Sequence, residues 1–278
     1  MAVTRRQFLT GLVSAPLVAV SATSAYARLL EPYSYYVSET DVFIKYLPER
    51  FDGFRITQLT DVHHSQIVGL NEIRNVVQLA QQTKPDMFVL TGDYTTSYRR
   101  FIEPCAETLA ALKAPEGTWA VLGNHDHYTD PELTTRALER NQIKVLNNAN
   151  TTLYRGPDAL QLSGVDDWTW NAANFSRAFY GLKKETATVL LSHQPRVLEL
   201  EETSNVSLVL SGHTHGGQIN LPFLGAPARF AVSDLKYAHG LFRRGDTHLY
   251  VSSGTGVIGL PVRLGVRPEI AVLRLRSA

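Results

Sequence analysis

Met87-Phe88-Val89-Leu90-Thr91-Gly92-Asp93 and Thr118-Trp119-Ala120-Val121-Leu122-Gly123-Asn124-His125-Asp126 are built alike: a short apolar run, a glycine, then a polar cluster. Apolar runs of this length, bounded by turn residues, read as buried strands. A glycine directly after such a run permits a sharp turn and a close backbone approach. The same form recurs three more times. Phe54 to Thr60 runs into Asp61-Val62-His63, Thr188–Ser192 ends in Ser192-His193, and Ser207–Ser211 runs into Gly212-His213-Thr214-His215. Five polar motifs therefore each close a predicted buried strand. Ligand sites of layered α/β proteins gather at the carboxyl ends of strands, so residues spread from 61 to 215 are able to meet at one spot.

Outward from these motifs the first half alternates strand and helix. Val42-Ile44-Tyr46 alternates as a strand. Asn71 is placed to cap a helix with Ile73, Val77 and Ala80 on its apolar face, ending before Pro85. A further helix is predicted around Phe101–Lys113, and Asp130-Pro131 starts another, with an N-cap followed by proline at the first helical position. The second half is richer in strands, with candidates at Ile143–Leu146, Thr152–Tyr154, Leu160–Val165, Gln218–Leu221, His248–Ser252 and Ile270–Leu275. Helices are expected near Phe175–Leu182 and Arg196–Glu202. This order suggests two stacked sheets with helices outside. No repeat, linker or low-complexity tract divides the chain, so residues 28–278 read as one domain.

The first 27 residues read as an address. Thr4-Arg5-Arg6-Gln7-Phe8-Leu9 resembles a twin-arginine export signal, the weakly apolar run Leu9 to Ala22 follows, and Ala25-Tyr26-Ala27 supplies a small-residue cleavage pattern. The run is interrupted by Gly11, Ser14 and Pro16 and falls short of the ~20 apolar residues a membrane span needs. The expectation is export by the twin-arginine translocase, cleavage after Ala27, and residence in the periplasm or at the extracytoplasmic face of the envelope. Without Arg5 and Arg6 the chain has 25 basic against 26 acidic side chains, a balance that gives no support to a nucleic-acid partner. Cys105 is the sole cysteine. It lies in a helical pattern with Ile102, Leu109 and Leu112, as a buried thiol would.

The residue types in the five motifs say what the meeting point would hold. Asp61, His63, Asp93, Asn124, His193, His213 and His215 supply seven oxygen or imidazole ligands and no thiolate. Seven ligands and water suit two cations sharing a carboxylate. Mixed imidazole and carboxylate fits Mn, Fe or Zn, with Mn favoured, rather than Ca or Mg. Two ions about 3.5–4 Å apart bracket a phosphoryl group and polarise a bridging water into a nucleophile. The expected function is hydrolysis of a phosphodiester or related phosphoanhydride of the cell envelope. A phosphomonoesterase and a catalytically silent metal- and phosphate-binding module are the alternatives.

The ordered set resembles that of the calcineurin-like metallophosphoesterases, and in particular their twin-arginine-exported bacterial YaeI/YkuE-type branch. The similarity runs from Leu47 to Leu275 and includes Gly164-Val165-Asp166-Asp167, His215-Gly216-Gly217-Gln218, Gly259-Leu260-Pro261-Val262-Arg263 and Arg267-Pro268-Glu269-Ile270. The resemblance implies a four-layer α/β/β/α sandwich of two mixed sheets with flanking helices. It implies that Asp61, His63 and His215 hold one metal, that Asn124, His193 and His213 hold the second, and that Asp93 bridges both. His125 would then be the general acid at the leaving group while a metal-bridging hydroxide attacks phosphorus.

Serine/threonine protein phosphatases carry an aspartate and an arginine soon after Gly-Asp, and glutamate after Asn-His. Here Thr95, Thr96 and Ser97 follow Tyr94, and Asp126 follows His125, which argues against a protein phosphatase. Asp126 is a candidate orienter of His125 or a brace for its loop. His64 and His127 either line a phosphate pocket or stand as exposed loop imidazoles. Trp168 and Trp170 either wall a sugar, base or lipid site or pack structurally, while Asp166 and Asp167 brace their loop. His239 and His248 read as structural. The expected partners are an envelope phosphate ester, with lipid- or sugar-linked esters among the candidates, and a peripheral membrane contact.

Overall fold

The computed structural model describes residues 18–221, 225, 226 and 233–278; the Arg5-Arg6 motif and the apolar run as far as Leu17 lie outside them. Residues 18–29 form helix α1. The first sheet then takes strands β1 (Tyr36–Ile44), β2 (Arg55–Leu59), β3 (Met87–Leu90), β4 (Thr118–Ala120), β5 (Lys144–Val145) and the last strand, β12 (Glu269–Ser277), in the order β1-β12-β2-β3-β4-β5. Strands β2 to β5 are parallel. β12 runs antiparallel to β2 and parallel to β1, with Tyr36 opposite Glu269 and Ile44 opposite Ser277. The second sheet takes β6 (Ala149–Arg155), β7 (Asp158–Gly164), β8 (Thr188–Leu191), β9 (Leu208–Ser211), β10 (Gly240–Arg244) and β11 (Thr247–Val251) in the order β10-β11-β9-β8-β7-β6. Its four inner strands are parallel and its two edges antiparallel.

Strand periodicity sorts the side chains into layers. Met87 and Val89 point between the sheets, where with Ile56, Val121 and Leu273 they meet Leu162, Val189, Leu191, Leu208 and Leu210. Phe88 and Leu90 point outward and are covered by Ile73 and Val77 of α2 (Leu70–Gln82), Cys105 and Leu109 of α3 (Ile102–Leu109), and Leu138 of α5 (Pro131–Arg140). The short helix α4 (Asn124–Thr129) lies between β4 and α5. On the far side Leu190, Val209 and Leu249 are covered by Val197, Leu198 and Ala178. The architecture is the expected four-layer α/β/β/α sandwich of two mixed sheets.

Its outer layer over the second sheet is thinner than the sequence suggests. The helix expected to reach Leu182 is α6 (Phe175–Ala178), and the one expected at Arg196–Glu202 is two 3-10 turns, Pro195–Glu199 and Glu201–Thr203, split by extended Leu200 (φ −80°, ψ 145°). Gln218–Leu221 forms no strand; Ile219 and Leu221 make only isolated bridges, to Leu264 and Gly225. α2 is capped by Gly69, not Asn71, whose side chain instead accepts from Arg74 at 2.9 Å. Cys105 is fully buried and donates to the carbonyl of Tyr94, and burial pushes its thiol up.

Candidate metal centre

The carboxyl ends of β2, β3 and β4 in one sheet and of β8 and β9 in the other open onto the same edge, and the five motifs meet there. Five of the seven predicted ligands carry a left-handed backbone: Asp61 (φ 52°), His63 (52°), Asp93 (59°), His213 (70°) and His215 (51°). For residues other than glycine this costs on the order of 1–3 kcal/mol each and persists only where the surroundings over-determine it. Here backbone bonds between loops do so. The amides of Asp61 and His63 donate to the carbonyls of Gly92 and Asp93, each at 3.0 Å. The amide of Gly256 donates to the carbonyl of Asp61 at 2.7 Å.

The side chains converge accordingly. Nε2 of His63 and Nε2 of His215 are 3.1 Å apart, and Oδ1 of Asp61 is 3.3 Å from the latter. In the other half, Oδ1 of Asn124 lies 3.1 Å from Nε2 of His193 and 2.9 Å from Nδ1 of His213. Oδ2 of Asp93 stands between the halves, 3.5 Å from His63 and 3.2 Å from His193. Donor atoms of Asp61, His63 and His215 lie within 4.8 Å of one another, as do those of Asp61, Asp93 and His193. Asp61, His63, Asp93, His193 and His215 are buried, while Asn124, His125 and His213 are partly exposed and form the mouth.

Neighbouring groups aim these donors. Oδ1 of Asp93 accepts from the amide of His125 at 2.8 Å, which leaves Oδ2 to the centre. Asp61 accepts from the amide of His213 and from the hydroxyl of Thr60. Nδ1 of His193 lies 2.7 Å from the carbonyl of Thr91, so Nδ1 donates there and Nε2 is turned toward the centre.

The donor chemistry fits a pair of divalent cations. Burial lowers His63 to about 3 and, with His63 and the Arg263 guanidinium nearby, holds His215 well below its ordinary value, so both present neutral imidazoles. Burial raises Asp61. Burial also opposes charge on His193 and on Asp93, but each outweighs that for the other: His193 is raised to about 10 and Asp93 is held low. Two acids and the neutral imidazoles of His63 and His215 gathered in a buried pocket are what cation coordination compensates.

The structure gives Asp126 the bracing arrangement and not the orienting one. Its carboxylate accepts from the amides of Asp93, Tyr94 and Gly123 at 2.8, 3.0 and 2.9 Å, fully buried beneath the loops. Burial, then the Asp93 carboxylate, raise it to about 7, against the amides of Gly123 and Asp93. His125 is oriented instead by the carbonyl of Thr96, 2.8 Å from its Nδ1. His64 is neither a pocket wall nor an exposed imidazole: it is buried, bonded to the carbonyl of Val68 at 2.9 Å and set edge-on to Phe101. His127 bonds Asp166 at 2.7 Å and stacks on the half-exposed Trp170. Asp167 caps that loop through Thr169 and the amide of Trp170, and it binds Gln194, next to His193. Trp168 lies under the guanidinium of Arg196. His239 pairs with buried Glu269, and His248 lies in β11.

Sequence reasoning missed Arg263 as part of the centre. It is fully buried, and its guanidinium donates to the carbonyls of Ser253, Gly254, Gly256 and Val266 while Nη2 lies 3.5 Å from Nδ1 of His215. It folds the 253–256 turn under Asp61. A lone arginine in a glycine-rich stretch offers no periodic signal to betray this.

A sequence model of the family described as Calcineurin-like phosphoesterase matches residues 54–217, which span all seven converging donors. The chain is 34% identical to the Bacillus subtilis (strain 168) protein named uncharacterized metallophosphoesterase YkuE, over 98% of each chain. It is 30% identical to the Escherichia coli (strain K12) protein named phosphodiesterase YaeI, over 98% of this chain and 99% of that one. Among solved structures, TT1561 of Thermus thermophilus shares the fold with a TM-score of 0.50 at 17% identity, covering 72% of this chain and 89% of that one. Family match, near full-length relatives and the clustered Asp and His donors agree: the chain belongs to the calcineurin-like metallophosphoesterases.

Proposed function

We propose that this chain hydrolyses a phosphodiester or related phosphoanhydride of the cell envelope. Asp61, His63 and His215 hold one divalent cation, Asn124, His193 and His213 a second, and Asp93 is shared. The observation that carries the reading is the place of Asp93, whose Oδ2 is 3.5 Å from His63 in one half and 3.2 Å from His193 in the other. Bound there, two such ions supply Lewis-acid polarisation of the phosphoryl group and activation of water. The protein's own groups do the rest. The loops hold the donors rigid before substrate arrives. With Nδ1 of His125 engaged by the Thr96 carbonyl, Nε2 is the atom left to hold a proton for the departing oxygen.

Imidazole and oxygen donors without a thiolate suit Mn, Fe or Zn, and we take manganese as the first candidate. The name of the Escherichia coli relative supports a diester. Arg5-Arg6 and the apolar run behind them support twin-arginine export to the periplasmic side. Metal-reconstituted protein assayed on bis- and mono-nitrophenyl phosphate tests the bond class. Faster release from the monoester would make it a phosphomonoesterase, and phosphate binding without turnover of either ester would make it a binding module. Incubation with an envelope extract, products identified by mass, names the substrate. Export is tested by fractionating cells that carry Arg5→Lys/Arg6→Lys.

A further inference from the structure

We propose that the edge of the molecule bearing the metal centre docks on a lipid surface, through an apolar lip formed by Leu29, Leu30, Tyr33, Ile67 and Leu260. These side chains are between 45 and 66% exposed, and topology puts them together. β1 runs antiparallel to β2, through β12. Its amino end, and Leu29 to Tyr33 before it, therefore lie at the edge where β2 delivers Asp61 and His63. Ile67 stands in the turn directly after those ligands. Leu260 follows the 253–256 turn seated under Asp61. Tyr33, Ile67 and Pro261 line one crevice with Gly256, whose amide bonds the Asp61 carbonyl. The end of α1 is tied to the same place, where the amide of Arg263 donates to the carbonyl of Ala27 at 2.9 Å.

The occupant is argued from what this lip adjoins. In the uncleaved chain α1 leads back from it with Val18 and Val20 exposed and no charged side chain between residues 18 and 27. Beyond lie residues 1–17, whose apolar run begins at Leu9. No helix among the described residues is long and apolar enough to cross a membrane. An exposed apolar patch from which an apolar leader departs marks a site of membrane contact. The opposite edge differs in kind: it presents Lys45, Lys84, Lys113, Lys183 and Lys184 to solvent. The lip therefore turns the centre toward the bilayer, and the substrate class it fits is a phosphoester whose non-reacting part remains among acyl chains. This last step rests on the proposed hydrolase activity; the docking surface does not.

The test places an environment-sensitive fluorophore at Leu260→Cys, with Lys113→Cys as the opposite-edge control, in the full chain. Cys105 is buried, so the introduced thiol takes the label. Each protein is mixed with phosphatidylethanolamine–phosphatidylglycerol vesicles carrying brominated acyl chains, and bis-nitrophenyl phosphate turnover is measured in parallel. The expected result is emission at position 260 falling by about half while position 113 is unaffected, as an interfacial depth of about 5–10 Å requires. Absence of vesicle binding overturns the proposal. So does sedimentation with vesicles while position 260 stays unquenched, or equal quenching at both positions. Quenching at 260 without ester turnover would sink the hydrolase reading and leave the docking surface standing.

Discussion

Nδ1 of His125 stands 2.8 Å from the carbonyl oxygen of Thr96. A backbone oxygen, fixed by its loop, thus sets the imidazole's tautomer, while His63 and Tyr128 stand edge-on to the ring. In the proposed mechanism His125 acts on substrate without supporting a cation, whereas Oδ2 of Asp93 faces both halves of the centre. His125→Ala should lower turnover by about 10²–10⁴-fold, the range of a lost general acid, with metal content intact. Asp93→Asn should lose both turnover and metal. Metal analysis beside kinetics decides; equal metal loss in the two variants would show the roles misassigned.

Asp126 lies one residue further on and belongs to the fold. Its carboxylate is the acceptor for three buried amides, those of Asp93, Tyr94 and Gly123. Asp126→Ala orphans all three, and a buried unsatisfied donor costs about 1–3 kcal/mol. A loss of about 3 kcal/mol or more is expected in urea unfolding, with Asp126→Asn, which keeps one acceptor oxygen, in between. An alanine variant as stable as the parent would remove the bracing role.

Much of this centre was legible in the sequence because strands deliver their next residues to a common edge. Apolar runs before Asp61, Asp93, Asn124, His193 and His213 announce the strands, and the polar residues after them announce the site. What the runs do not encode is the loop between. The left-handed turns at Asp61, His63, Asp93, His213 and His215 are imposed by bonds from neighbouring loops, such as those of Gly92 and Gly256, and carry no local sequence signal. The same holds for His64, buried by Phe101, which is 37 positions away. It holds also for β1, whose partner β12 closes the sheet from the other end of the chain.

Glu269 at the start of β12 illustrates such a long-range dependence and has a pH signature. Fully buried, it accepts from Ser38 at 2.6 Å, Tyr250 at 2.7 Å and the amide of Ser253 at 3.0 Å, and it pairs with His239. Burial opposes its charge, but His239 and the hydroxyls outweigh this and lower it to about 2. A depressed folded-state value stabilises the fold above the unfolded carboxyl's pKa of about 4.3. That stabilisation fades as pH falls toward 2. Parent and Glu269→Gln should thus differ in unfolding free energy by about 2–3 kcal/mol at pH 7. The gap should narrow steadily below pH ~4.3. A gap independent of pH would mean the carboxylate's charge does no stabilising.

The turn that Arg263 folds under Asp61 makes the last prediction, because two glycines near it separate strain from collision. Gly254 has φ +71°, and a Cβ there would lie 2.7 Å from Cβ of Asp61; Gly259 has φ +65° with nothing within 4 Å of such an atom. Alanine at either position bears the left-handed backbone cost, on the order of 1–3 kcal/mol. Only at Gly254 must a proposed ligand also move. A displacement of about 1 Å at a reacting centre costs on the order of 10²-fold in rate. Gly254→Ala should therefore lose turnover by about that factor and hold metal less tightly. Gly259→Ala should lose some stability and keep both metal and rate. The comparison needs thermal unfolding, metal analysis and ester turnover on the two variants side by side. If both lose activity in proportion to stability, the seat beneath Asp61 is not what positions it.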